Sequence, residues 1–116
     1  MATETGFPSP ARGYEARTID LNDLLVTNAP ATYFMRMRGS HLVYRGILPE
    51  DLLAVDRSRP PVPGCIVVFR QDDEFMCREL IRDRDSYVLA DGTGNHLLVT
   101  EETEIFGTVT GIVRKL

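Results

Sequence analysis

Residues 39–56 read GSHLVYRGILPEDLLAVD, and short strands separated by turns are predicted after this stretch. Pro49, Glu50 and Asp51 form a polar, proline-containing segment that predicts a turn. The apolar run Leu52–Val55 that follows has the length and composition of a short strand. The stretch therefore predicts a turn followed by a short strand.

Before this stretch, apolar and charged residues alternate. Tyr33, Met35 and Met37 alternate with a phenylalanine and two arginines, which predicts a half-buried strand with its arginines facing water. The two methionines are typical of a core or of a dimer surface rather than of a cofactor site.

After this stretch, short apolar runs and turns follow each other at regular spacing. The predicted strands are Cys65–Phe69, Glu74–Ile81, Tyr87–Ala90, Leu97–Thr100 and Ile105–Val113, separated by a proline-rich exposed loop at 57–64 and by turns at 71–73, 83–85 and 91–95. The continuous apolar run of the first predicts a fully buried strand. In the last, Gly107 and Gly111 predict a bulge or a close backbone approach. The sequence therefore predicts a compact, strongly bent, mainly β fold with little helix.

The N-terminal region has a different composition. Residues 1–18 contain two prolines, two glycines and few large apolar side chains, which predicts an extended arm. Asp20 is placed to cap a short helix over Leu21–Val26, which Asn28 and Pro30 would end. We therefore expect an arm at 1–18 and one folded domain at 19–116.

Length and charge limit the class of protein. A chain of 116 residues forms one domain, and its net charge of −4 argues against direct nucleic-acid binding, which needs clustered positive charge. No apolar run approaches the roughly 18–20 residues that span a bilayer. The N-terminus does not have the basic and apolar regions of a signal peptide. We expect a cytoplasmic protein.

The two cysteines, Cys65 and Cys77, agree with a reducing compartment. Each lies in an apolar segment, which favours a buried free thiol over a disulfide between them. A zinc site is not expected, because there is no Cys-x-x-Cys pair and because His41 and His96 lie far apart in sequence.

Residues 39–56 resemble the nucleophile segment of the LexA/UmuD-type self-cleaving serine peptidases, in which Gly-Asp-Ser-Met precedes a turn and a strand ending in Val-Asp. The resemblance to the UmuD-like, polymerase-associated branch extends over nearly the whole chain. The matching segments are, in order, Gly6–Ala11, Ile19–Asn22, Ala31–Phe34, Asp51–Leu53, Val55–Asp56 and Phe106–Gly107. It implies the bent β fold shared by LexA and the signal peptidases.

The resemblance places His41 at the position of the family's serine nucleophile. Ser40 precedes that position by one residue. In an extended segment, neighbouring side chains point to opposite faces, so Ser40 is not expected to replace the nucleophile.

The family's lysine base matches Arg78, within the segment Glu74–Leu80. A lysine can act as a base when burial lowers its pKa, whereas arginine, with a pKa above about 12, stays protonated. The only lysine in the chain is Lys115. The resemblance therefore implies that both members of the catalytic pair have been replaced.

The bond that matches the family's self-cleavage site is Thr5–Gly6, with five residues ahead of it. The sequence thus resembles a processed form. We expect a catalytically inactive homodimer that serves a Y-family translesion polymerase in the DNA-damage (SOS) response and contacts the recombinase filament, with no cofactor and no metal. Within the arm, Phe7 and Tyr14 are the residues expected to contact a partner.

Two other functions remain open. The chain could be a regulator that forms mixed dimers with LexA- or UmuD-like proteins, or a self-cleaving peptidase with altered machinery around His41 and Arg78. A phosphate-binding loop at 91–95 is disfavoured, because Leu97–Thr100 is strand-like and such loops open a helix. The acidic run Asp72–Glu74 is expected to be a solvated hairpin tip rather than a metal site.

Overall fold

The computed structural model describes Val26 and residues 29–116, and seven antiparallel strands dominate this part of the chain. The strands are β1 (Thr32–Arg36), β2 (Leu52–Asp56), β3 (Ile66–Gln71), β4 (Glu74–Asp83), β5 (Ser86–Ala90), β6 (His96–Leu98) and β7 (Glu104–Val113). Helical structure in the described residues is limited to two 3-10 turns, Ala29–Ala31 and Val43–Arg45. The mainly β fold is therefore confirmed, and the predicted strand ends downstream of the opening stretch differ from the observed ends by two residues at most.

The strands form one sheet in the order β1-β2-β7-β3-β4-β5-β6. Tight turns join β3 to β4, β4 to β5 and β5 to β6 along the chain, so these neighbours are hairpins. The last strand, β7, inserts between β2 and β3 and pairs with both. This insertion joins the N-terminal pair of strands to the hairpins, and both of these parts contribute residues to the site described below.

The central strand β3 is buried on both faces. Ile66 and Val68 belong to one apolar cluster, which includes the fully buried Leu42 of the β1–β2 loop. Val67 and Phe69 belong to a second cluster on the opposite face, with Leu80 and Leu89 among its members. The prediction of a fully buried strand from the continuous apolar run is confirmed.

The strand β7 bends at two bulges. The pairing shifts opposite Val68 and Phe69 of β3, next to Gly107, and again opposite Ala54 and Val55 of β2, next to Gly111. A Cβ built on Gly107 would lie 2.7 Å from Cγ1 of Val55 and 3.0 Å from the carbonyl oxygen of Asp56. Both glycines thus lie where the sequence predicted a bulge or a close backbone approach.

Two predictions need correction. On β1, Met35 is half-buried and the arginines are exposed, and Met37 just beyond the strand is buried, as expected. Tyr33, which was predicted to face the core, is 46% exposed. Its ring packs on the surface against Phe106. The predicted end of the helix at 21–26 is wrong at Val26, which has no regular structure, and the rest of that helix lies outside the described residues.

The remaining N-terminal predictions fall on residues 1–25 and 27–28, outside the described residues. These are the arm at 1–18, the cap at Asp20 and the partner-binding and cleavage residues Thr5, Gly6, Phe7 and Tyr14. In the part of the chain that the structure describes, no helix has the length and apolar character needed to cross a membrane.

Candidate functional site

The loop between β1 and β2 carries His41. Its base is closed by two backbone hydrogen bonds, from Met37 N to the Asp51 carbonyl at 2.8 Å and from Glu50 N to the Met37 carbonyl at 2.9 Å. Leu42 is fully buried in the first apolar cluster and anchors the loop, whereas Ser40 and His41 are exposed. The imidazole turns back over the loop, so that a Cβ on Gly39 would lie 3.6 Å from Nδ1 of His41. The side chain at the serine-like position therefore lies at the surface.

Arg78 lies on β4, opposite Val67 of β3. Its side chain is half-buried, and Nη1 donates a hydrogen bond to the Cys77 carbonyl at 2.8 Å. The neighbouring Cys77 is buried, and burial raises the pKa of its thiol to about 12. Cys77 is therefore a protonated thiol at neutral pH, and it is not an activated nucleophile.

Asp91 lies at the start of the β5–β6 loop, one residue beyond the partner of Glu79 in the strand register. Its Oδ1 accepts hydrogen bonds from Thr93 N at 2.9 Å and from Thr93 Oγ1 at 2.6 Å. These bonds are the main reason why the pKa of Asp91 lies below its usual value, and the positive charges of Arg78 and His41 lower it further. The Asp91 carboxylate thus lies within electrostatic range of both Arg78 and His41.

Tyr44 ties the His41 loop to the strands beside it. Its ring packs on Gly92 of the β5–β6 loop, and its hydroxyl donates to Oε1 of Glu79 on β4 at 2.6 Å. Arg45 pairs with the other oxygen of Glu79 at 2.9 Å. Burial, and then the hydrogen bond to Glu79, raise the pKa of Tyr44 to about 12. Tyr44 therefore stays a neutral donor at physiological pH.

His41 and Arg78 differ in chemistry from a serine and a lysine. A serine–lysine mechanism needs a hydroxyl within hydrogen-bond reach of an amine that can take its proton. The guanidinium of Arg78 does not give up a proton, and the single lysine of the chain, Lys115, lies beyond the end of β7. That His41 and Arg78 are relics of a catalytic pair remains a prediction.

Other predicted sites are resolved by the topology. The loop 91–95 leads into β6 and not into a helix. The backbone N–H of Thr93 donates to the Asp91 carboxylate and is not free to bind a phosphate, so this segment is a turn. The acidic residues at 72–74 are exposed at the β3–β4 turn. Both thiols are free: Cys77 is opposite Val68, whereas Cys65 precedes β3 and lies opposite Leu80.

Sequence reasoning missed Asp91, Tyr44 and Glu79 as site residues. Each had a plain alternative interpretation, since Asp91 is a common turn residue and the other two are ordinary surface residues. The sequence did contain a signal for Asp91. The predicted strands 74–81 and 87–90 are separated by a turn at 83–85, and a hairpin of these strands brings Asp91, the residue after Ala90, near Arg78.

Comparison with known proteins agrees with the mainly β fold. Residues 2–110 match the family described as Peptidase S24-like. The chain is 35% identical over 114 residues to protein ImpA of Escherichia coli, covering 97% of this chain and 79% of that protein.

Other relatives are more distant or match over a shorter region. Protein MucA of Escherichia coli is 42% identical over 76 residues, or 66% of this chain and 52% of that protein. The LexA repressor of Paracidovorax citrulli is 29% identical over 113 residues, or 94% of this chain and 50% of the repressor. The coverage by one family model and the likeness to ImpA and MucA establish that this chain belongs to the Peptidase S24-like family, the LexA/UmuD type, on its UmuD-like branch.

Proposed function

We propose that this protein is a UmuD-like accessory subunit of an error-prone, Y-family translesion polymerase in the SOS response, and that it binds its partners without cleaving itself. The observation that carries the proposal is the cluster of His41, Arg78 and Asp91, in which His41 and Arg78 occupy the positions expected to match the family's serine and lysine. The cluster stabilises a cation where the family chemistry needs a neutral amine. Binding to a partner needs no such amine, so the fold can keep its binding role without the peptidase activity.

The proposed assembly is a homodimer, and the structure has a surface suited to it. Phe106 packs edge-on against Tyr33, with ring centroids 5.4 Å apart, and against Phe75 at 5.3 Å, while the Arg57 guanidinium lies 4.4 Å from the Phe106 ring centre. Phe75 remains 52% exposed. We call Tyr33, Arg57, Phe75 and Phe106 the aromatic face. Exposed aromatic and arginine side chains are the types enriched at interfaces.

The charges around the aromatic face favour a second copy of this chain as its occupant. The groove beside Phe106 is lined by two arginines, Arg57 and Arg70, and by Glu104, which lies opposite Arg70 on the neighbouring strand. In a two-fold interface the same patch meets itself, so a patch with both signs of charge can pair its arginines with the partner's glutamate. The resulting dimer would present the acidic surface of two subunits to a polymerase and to the recombinase filament.

The N-terminal arm, with Phe7 and Tyr14, is proposed to fold onto the polymerase or onto the second subunit. Deleting residues 1–14 should therefore weaken the affinity for the polymerase or for the second copy. Unchanged affinities for both would contradict this part of the proposal.

The test of the whole proposal is a self-cleavage assay combined with a binding assay. The purified protein is incubated at alkaline pH, where an active full-length relative serves as the positive control, and mass spectrometry looks for loss of residues 1–5. We expect an intact chain that copurifies with a coexpressed Y-family polymerase. A cut at Thr5–Gly6 that disappears in His41→Ala would instead support the peptidase alternative. Copurification with an active homologue but not with the polymerase would support a regulator that forms mixed dimers.

A further inference from the structure

We infer that Asp91 is the fixed counter-charge of the lysine-like position, so that three residues of this chain, and not two, close the site to the family's base chemistry. The inference deepens the proposed function and rests on it. It leads to a specific expectation: a lysine restored at position 78 would remain a protonated ammonium as long as Asp91 is present.

The strand register brings Asp91 close to Arg78. The pairing of β4 with β5 runs from Asp83↔Ser86 to its last pair, Glu79↔Ala90, and Arg78 and Asp91 are the next residues along the two chains, with Asp91 just beyond the end of β5. Residues directly opposite each other in an antiparallel pair project on the same face, with Cβ atoms about 4.5–5.5 Å apart. The two residues are thus neighbours by backbone position.

The carboxylate of Asp91 is also held in place. Both the backbone N–H and the hydroxyl of Thr93 donate to its Oδ1. The residue between them, Gly92, has φ of +83° and lies under the ring of Tyr44. The turn therefore cannot easily swing the carboxylate away from β4, and the hydrogen bonds favour its ionised form.

The other groups around position 78 do not offset this charge. Its β3 neighbour is Val67, and the Cys77 thiol is protonated. The carboxylate of Glu79, the next residue on β4, is already bound by Tyr44 and Arg45. Of the cations, His41 is exposed to water, which screens it. An amine at this position would therefore experience Asp91 as its main fixed charge, and an opposite charge raises the pKa of an amine.

The test uses R78K as a probe, because the chain has a single natural lysine. With 13C-labelled lysine, R78K gives only two ε-carbon titrations, and Lys115 is the internal reference. We expect the introduced ammonium to titrate at or above the ordinary lysine value of about 10.4. In R78K/D91N its midpoint should fall by about one pH unit. The control R78K/D85N removes an exposed carboxylate from the β4–β5 turn and should leave the midpoint unchanged. A midpoint well below the ordinary value in R78K, or one that ignores D91N, would overturn the inference.

A second measurement needs no lysine and covers the case in which R78K does not fold. The carboxyl carbon of Asp91 is titrated in the unmodified protein, in R78Q and in T93V. We expect the pKa of Asp91 to rise in both variants, and more in T93V, because the Thr93 hydrogen bond is its largest stabilising contact and Arg78 a smaller one. An Asp91 midpoint unaffected by R78Q would refute the pairing.

These results can be separated from the proposed function. The titrations measure the pKa values of the introduced lysine and of Asp91, and they can be interpreted whether or not the protein binds a polymerase. Self-cleavage of the unmodified chain would defeat the proposed function while leaving the Asp91 titrations interpretable, and a failed pairing would leave the polymerase assay intact.

Discussion

Arg114, just beyond β7, holds the buried carboxylate of Asp51 through two hydrogen bonds, from Nε to Oδ1 at 2.6 Å and from Nη2 to Oδ2 at 2.6 Å. Asp51 also accepts a hydrogen bond from Leu48 N at 2.7 Å. The same guanidinium donates to the Gly46 carbonyl at 2.8 Å. The Arg114–Asp51 pair therefore ties the end of the β1–β2 loop, which carries His41, to the residues just after β7.

The first prediction concerns acid stability. The hydrogen bonds from Arg114 lower the pKa of Asp51 from 3.8 to about 2. A lowered pKa in the folded state means that the stabilisation is complete above about pH 4, the unfolded value, and is lost as the pH falls towards 2. Asp51→Asn should therefore lower the urea midpoint at pH 7 and flatten its decline between pH 4 and pH 2.

A matched control is Asp73→Asn. Asp73 pairs with Arg70 at 3.2 Å, but its side chain is 92% exposed. We expect its free energy of unfolding at pH 7 to change by no more than about 0.5 kcal/mol, with the acid limb unchanged. If Asp51→Asn behaved like this control, the pair would have no role in stability.

The second prediction concerns the close approach of Gly107 on β7 to Val55 on β2. A methyl group on Gly107 would meet Val55 and the carbonyl oxygen of Asp56 at distances that real Cβ atoms rarely show. Gly107→Ala should cost about 1–3 kcal/mol of unfolding free energy, the usual range for overpacking. Adding Val55→Ala removes one of the two clashes, so the double variant should lose less than the sum of the single losses. Additive losses in urea denaturation would mean that the two positions do not touch.

The strands were readable from sequence because each is a short apolar or alternating run between turn residues. The segment around Val67 is the clearest case, since a run without alternation can only be buried on both faces. The prediction for Tyr33 was wrong because an alternating pattern shows which side chains share one face of a strand, but it does not show whether other residues cover that face along the whole strand. The surface position of its ring depends on Phe106, which lies far away in sequence.

The sheet order and the charge partners could not be read in the same way. The place of β7 between β2 and β3 is a non-local choice that no local pattern encodes. Asp51 and Asp91 both looked like turn residues, and both are turn residues. Their second roles come from Arg114, which lies 63 residues away from Asp51, and from the register that brings Asp91 close to Arg78.

The third prediction tests the aromatic face. Phe75 is 52% exposed, so Phe75→Glu should leave the monomer folded while placing a charge in the proposed two-fold contact. We expect a loss of about 2 kcal/mol or more in dimer affinity, as for a central interface residue, which is roughly a 30-fold rise in the dissociation constant. Sedimentation velocity measures this directly.

Tyr87→Glu is the control for this surface. Tyr87 lies on β5, is 43% exposed and packs near Arg82, away from the aromatic face. Its substitution should leave the dimer intact. Equal effects of the two variants, or no effect of Phe75→Glu, would place the dimer contact elsewhere.

The fourth prediction asks whether Cys77 could act as a replacement nucleophile beside Arg78. Cys77 is 8% exposed, and its burial raises the pKa of the thiol to about 12, so little thiolate forms near neutral pH. In a Cys65→Ala background, Cys77 should react with a disulfide reagent at pH 8 at least about a hundred-fold more slowly than free cysteine, because the thiolate is scarce and the core must open. In urea the difference should vanish. A native-state rate equal to that of free cysteine would show an accessible thiolate and would give the peptidase alternative a nucleophile.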